Sequence, residues 1–156
     1  MRLVVVAVGT RMPKWADDAF AEYAKRMPRE LRLDLIEVRA EPREGGKPPA
    51  AMMKAEATRL EAAIPKGSMR VALDERGREM TTAGMSGWLR ERTIEGREIS
   101  FLVGGPDGLD ADLKARAAVI LGLSAFTLPH ALARVVLAEQ LYRCACILRN
   151  HPYHRE

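Results

Sequence analysis

Residues 3 to 9, LVVVAVG, form an unbroken apolar run that is rich in β-branched side chains and stops at a glycine. A run without polar alternation must be covered on both faces, which is the situation of a buried strand in a parallel sheet with helices above and below. MRVALDE (69 to 75) and EISFLVG (98 to 104) are read as further strands, and LRLDLIEV (31 to 38) alternates as a half-buried one. Helical patterns separate them. WADDAFAEYAKRM (15 to 27) sets Trp15, Ala19, Tyr23 and Met27 at four-residue steps and is closed by Pro28. AAMMKAEATRLEAAI (50 to 64) is a second helix, and TTAGMSGWLRERTIEG (81 to 96) a third, weakened near its start by Gly84 and Gly87. This alternation predicts an α/β domain with a largely parallel sheet flanked by helices.

The C-terminal third reads as a helix, DADLKARAAVIL (110 to 121), a short strand, LSAFTL (123 to 128), and a long helix, PHALARVVLAEQLYRCACILRN (129 to 150). The long helix is apolar on nearly every side and has to be covered all round. Leu132, Val135, Val136, Leu137, Leu141, Tyr142, Ala145, Ile147 and Leu148 occupy most of its circumference, more than one sheet face can cover. A second copy of the chain is the economical cover, so a homodimer is expected. The segment RAEPREGGKPP (39 to 49) combines charge, glycine and proline and is expected to be an exposed, mobile loop, with RNA contact the one role it suggests. With 156 residues and no linker or repeat, the whole of 1–156 reads as one domain.

Hydrophobic residues make up 47% and charged ones 29%, a soluble balance, and no apolar run is long enough to span a bilayer. No small-residue cleavage site follows MRLVVVAVGTRMP, so the start reads as the first strand of a cytosolic, cytoplasmic protein. Cys144 and Cys146 stand two apart in a helical stretch. Their side chains diverge, which leaves buried reduced thiols and points to neither a bridge nor a metal site. The net charge of +4, carried mainly by arginine, permits nucleic-acid binding without requiring it.

In an open parallel sheet, ligands sit beyond the carboxyl ends of the strands. Three such ends suggest one crevice: the bend GGPDG (104 to 108), the turn after LDE (73 to 75) and the turn after LSAFTL. The bend is no phosphate cradle. It lacks GK[ST], the glycines at 104, 105 and 108 do not make G-x-G-x-x-G, and Gly9 stands alone after the first strand. Taken alone, GGPDG either forms a ligand wall or merely turns the chain into a helix capped by Asp110.

Taken together, FLVGGPDGL, a helix, LSAFTLPHALARVVLAEQLYR and the terminal NHPYHRE closely resemble the small knotted methyltransferases of the SPOUT superfamily, and within them the RlmH family, which methylates N3 of a pseudouridine in large-subunit ribosomal RNA. The resemblance runs from VAVGTRMP and FAEYAKR through ALDERG to the end, and the last thirty positions are its most specific part. It implies a SPOUT-type α/β knot, a deep trefoil near the C-terminus; S-adenosyl-L-methionine as cofactor; a homodimer; and large-subunit rRNA within the ribosome as partner, with neither membrane nor metal. Leu73, Gly104, Leu123, Ser124, Ala125, Phe126, Thr127 and Leu128 match the family's cofactor positions. GGPDG would then form one wall of the pocket, its missing side chains letting backbone groups touch the cofactor.

A sulfonium methyl is already activated, so the protein must align the acceptor nitrogen and free it of its proton. All three histidines, His130, His151 and His154, fall near the terminus with several arginines and Tyr153. His154, Tyr153 and Arg143 are the catalytic candidates. His130 follows Pro129 at a helix start, where capping also accounts for it, and Tyr153 and His154 could equally belong to a frayed end. Two other functions fit the chain: a ribosome-associated binding protein with a degenerate pocket, and an α/β enzyme for a different adenine-containing ligand.

Overall fold

In the computed structural model, which describes residues 1–155, the first apolar run becomes β1 (Arg2–Val8), buried from Leu3 onward. It pairs in parallel with β2 (Arg32–Val38) on one side and with β4 (Ile99–Val103) on the other, so both its edges are satisfied. β3 (Met69–Glu79) and β5 (Val119–Gly122) complete a five-stranded sheet, ordered β2-β1-β4-β3-β5 and parallel throughout.

The pleat divides β1 between two cores. Leu3, Val5 and Ala7 face α1 (Lys14–Arg26), α3 (Thr82–Glu95) and α5 (His130–Leu148) through Phe20, Leu89, Leu137 and Leu141. Val4, Val6 and Val8 face α2 (Pro49–Ala63) and α4 (Ala111–Ala115) through Leu60 and Leu113. This two-sided cover is what the absence of alternation in the sequence requires. Each fully buried Val or Leu side chain stabilises the fold by about 1.5–3 kcal/mol relative to exposure.

Three local readings change. The helix read over 110–121 is only α4, capped as expected by Asp110, whose carboxylate accepts from the amides of Asp112 and Leu113 at 3.1 and 3.3 Å. The last three residues of that range belong instead to β5 (Val119–Gly122), recruited by the open edge of β3, where β-branched residues gain more from ladder bonds than from another helical turn. LSAFTL is therefore not a strand but the loop that leaves β5. On α1, Tyr23 and Met27 pack against the core as read, but its buried residues are Ala16 and Phe20, and Trp15 at the start of the stripe is 54% exposed.

Because every strand runs the same way, all carboxyl ends lie on one edge of the sheet. There β3 makes an excursion over residues 74–77, and both flanks of it, Leu73 and Arg78, pair with Leu121 of β5. A Cβ on Gly77 would stand 2.5 Å from the Leu121 carbonyl carbon, and one on Gly122 would stand 2.7 Å from the Gly77 oxygen. The two backbones cross in contact, and only glycine admits this.

Candidate cofactor cavity and C-terminal cluster

The carboxyl ends of β3, β4 and β5 and the start of α5 enclose a cavity of about 510 Å³. Leu73, Asp74 and Glu75 come from β3; Gly104, Gly105, Pro106 and Gly108 from the bend; Leu123, Ser124, Phe126, Thr127 and Leu128 from the loop after β5; and His130 from α5. Seven of the eight residues expected at a cofactor are thus brought together. The eighth, Ala125, is exposed on the same loop but does not line the cavity.

The glycines of the bend line the cavity, as expected, and they also shape the turn itself. Gly108 donates to the Gly105 carbonyl at 3.0 Å, closing a tight turn with Pro106 and Asp107 at its tip. A Cβ on Gly104 would lie 2.5 Å from the Gly108 carbonyl carbon, and one on Gly105 would meet Val8 at 3.1 Å and Glu56 at 3.3 Å. Their bare backbones let the turn fold onto the sheet while it lines the cavity.

In the loop after β5, Ser124 Oγ accepts from the Phe126 amide at 2.9 Å and Thr127 Oγ1 donates to Glu75 at 3.3 Å. The amides of Ala125, Thr127 and Leu128 have no intrachain hydrogen-bond partner among the described residues, so donors stand ready there. Burial alone would raise the Asp74 carboxyl, but Lys114 at 2.9 Å and the Arg76 amide at 2.8 Å outweigh it and hold the group below its ordinary range. The His130 side chain caps nothing; it turns toward the cavity, and burial followed by the nearby Arg134 charge lowers its pKa.

The catalytic candidates lie elsewhere. Tyr153 and His154 fold back on the far end of α5, where the Tyr153 ring meets that of Tyr142 at 4.7 Å, tilted by 59°, and lies under the Arg143 guanidinium at 4.8 Å. Tyr153 donates to Glu139 Oε1 at 3.1 Å, the oxygen that Arg143 also holds at 2.6 and 2.9 Å. Burial, then the Glu139 charge, pushes the Tyr153 phenol up to about 12, so it stays protonated at neutral pH. Arg143 Nη1 approaches His154 Nδ1 at 3.5 Å. This cluster sits about 20 Å along the helix from His130, at 1.5 Å of rise per residue. One chain does not join it to the cavity.

Arg134 is a fastener. Only 2% exposed, it donates to Glu37 at 2.6 Å and to the Val8 and Gly9 carbonyls at 3.0 and 2.8 Å. Cys144 and Cys146 are buried free thiols, and burial pushes Cys144 up to about 12. Among the described residues no cluster of His, Cys, Asp or Glu could hold a metal ion, and no helix is long and apolar enough to cross a membrane.

Residues 1–154 match the family described as "Predicted SPOUT methyltransferase". Over 155 residues, 99% of both chains, the sequence is 58% identical to the ribosomal RNA large subunit methyltransferase H of Bordetella avium. The chain belongs to that family. The protein of the same name from Ralstonia nicotianae is 54% identical over the same share of both chains. A probable methyltransferase from Bordetella pertussis Tohama I shares the fold with a TM-score of 0.59 at 17% identity, covering 92% of this chain and 96% of its own.

SPOUT methyltransferases use S-adenosylmethionine. The cavity suits it: its volume is that of a small-molecule site, leucines line it, and ready amides lie beside them.

Proposed function

We propose that this methyltransferase of large-subunit ribosomal RNA modifies N3 of a pseudouridine in 23S rRNA, on the assembled ribosome, and works as a homodimer in the cytoplasm. S-adenosylmethionine supplies the activated methyl group. Leu73, Leu123 and Leu128 cover the two faces of its adenine, and backbone groups of Gly104 and of the run Leu123, Ser124, Ala125, Phe126, Thr127 and Leu128 read its edge. Asp74 and Glu75 complement its positive charge. The family's trefoil knot belongs to the same reading.

The observation that carries the proposal is the division of α5. The cavity is at its first turn and the Arg143–Tyr153–His154 cluster near its last, too far apart to act on one nucleotide within one chain. No residue of α5 is fully exposed, yet Leu132, Val136, Arg143 and Ile147 remain half-buried along one side. Two copies of α5 set antiparallel along that side, related by a two-fold axis perpendicular to them, bring the cluster of one chain to the cavity of the other.

In that composite site the Arg143 guanidinium favours the deprotonated ring, and Tyr153, a neutral donor, holds Glu139 and Arg143 in place. His154 accepts the N3 proton as the nitrogen–carbon bond forms and the sulfur–carbon bond breaks. Arg143 and Arg155 contact rRNA phosphates.

Two measurements test this. Calorimetry should show S-adenosylhomocysteine binding in preference to ATP and NAD. Mass spectrometry of 23S rRNA from cells lacking the protein should show one methylated pseudouridine lost and restored by the gene. Unchanged rRNA would overturn the assignment of substrate, and preference for ATP or NAD that of the cofactor.

A further inference from the structure

The charged loop over 39–49 is exposed for most of its length, as its composition predicts, but it is fastened to the cofactor turn. Arg43 makes the link. Its Nη1 donates to the Glu41 carbonyl at 2.7 Å and to Glu56 Oε2 at 3.2 Å, while its Nη2 reaches Asp107 Oδ2 at 2.9 Å. Asp107 is at the tip of the turn between Gly105 and Gly108, and its side chain lies outside the cavity that Gly105, Pro106 and Gly108 line. The turn therefore has a ligand face and an anchored face.

Beneath the anchored face lies Glu56 of α2, its side chain 2% exposed. Oε2 also accepts from the Glu41 amide at 3.0 Å, whereas Oε1 has no hydrogen-bond partner among the described residues. Both oxygens lie about where a Gly105 Cβ would touch them, at 3.3 and 3.4 Å. A buried carboxylate with one unpaired oxygen is not a device for stability, since a packed apolar side chain would serve at least as well. What it does here is orient Arg43, and a planar guanidinium can hold two carboxylates at once where an ammonium cannot.

We infer that Glu56 and Arg43 are positioning residues for the cofactor turn: Arg43 clamps Asp107 and so holds Gly105 and Pro106 in the conformation that binds S-adenosylmethionine. The inference rests on the reading of the cavity given above. A turn released from its clamp samples other conformations, and apparent affinity falls in proportion to the fraction still competent. With the competent fraction reduced to about a tenth, the Kd rises about tenfold.

The experiment is a double-mutant cycle on Arg43→Gln and Asp107→Asn in the full-length protein, read by calorimetry with S-adenosylhomocysteine. Binding by the wild type establishes the cavity reading; without it that reading fails, and the inference with it. Given binding, each single variant should weaken affinity about tenfold, and the pair should be no worse than either alone. Lys47→Gln, in the same loop but bonded to Glu41 and not to the turn, should stay within about twofold. Arg43→Lys should rescue only in part. With rRNA as substrate, KM for S-adenosylmethionine should rise while kcat is retained, a split that general unfolding does not produce. Singles with wild-type affinity, or losses that add, would overturn the clamp.

Discussion

Replacing Gly104 by alanine tests whether the bend is shaped by its own backbone or by a ligand. The added Cβ would stand 2.5 Å from the Gly108 carbonyl carbon, 2.7 Å from its oxygen and 2.9 Å from the Leu109 nitrogen. Carbon atoms prefer about 3.5–4.0 Å, and all three neighbours are main chain, so no side chain can rotate to relieve the overlap. The turn must lift off the sheet. Overpacking of this kind costs about 1–3 kcal/mol. For a domain of this size each kcal/mol lowers Tm by roughly 2–4 °C, so scanning calorimetry should show a fall of about 2–12 °C. Because the lifted turn carries Gly105 and Pro106, S-adenosylhomocysteine affinity should drop by about tenfold or more. Gly108→Ala is the control. A Cβ there meets nothing within 4 Å, but φ is +86°, so the substitution strains the backbone without displacing the wall. It should cost about 1–2 kcal/mol and leave affinity within about threefold. If Gly104→Ala keeps both the wild-type Tm and the wild-type affinity, the close approach is not what demands glycine. If Gly108→Ala loses affinity equally, backbone strain alone explains both.

Arg134→Met removes the hydrogen bonds to Glu37, Val8 and Gly9 and should destabilise the fold by about 3 kcal/mol, read as a lowered midpoint in urea with an unchanged slope. Val136→Glu, on the half-buried side of α5, should give monomers by sedimentation that keep their circular dichroism and lose rRNA methylation. Lys47, then Arg59, holds the Glu41 carboxyl down at about 2, against 4.5 for the ordinary group. Its contribution is therefore present above pH 4.5 and lost as pH falls through about 2, so the Tm advantage over Glu41→Gln should be seen at neutral pH and vanish in that acid window.

The parts of this protein legible from its sequence are those that local physics decides. An unbroken β-branched run needs cover on both faces, and β1 has it; Asp110 precedes a helix whose amides need an acceptor, and it caps α4. The resemblance carried by the loop and bend also named seven residues that line one cavity. Tertiary structure decided the rest. Val119, Ile120 and Leu121 read as the end of a helix, and only the vacant edge of β3 makes them a strand. That glycines 104 and 105 are also required by the close approach of the turn to Gly108, Val8 and Glu56 shows only in three dimensions. Arg43, Glu56 and Asp107 come from a loop, a helix and a turn far apart in the chain, and no periodicity relates them. The terminal Arg143, Tyr153 and His154 do cluster, but at the opposite end of α5 from the cavity, because a rigid helix rising 1.5 Å per residue separates what the sequence places close together. Sequence patterns report interactions within a few residues along the chain; which distant groups meet depends on how the sheet orders its strands.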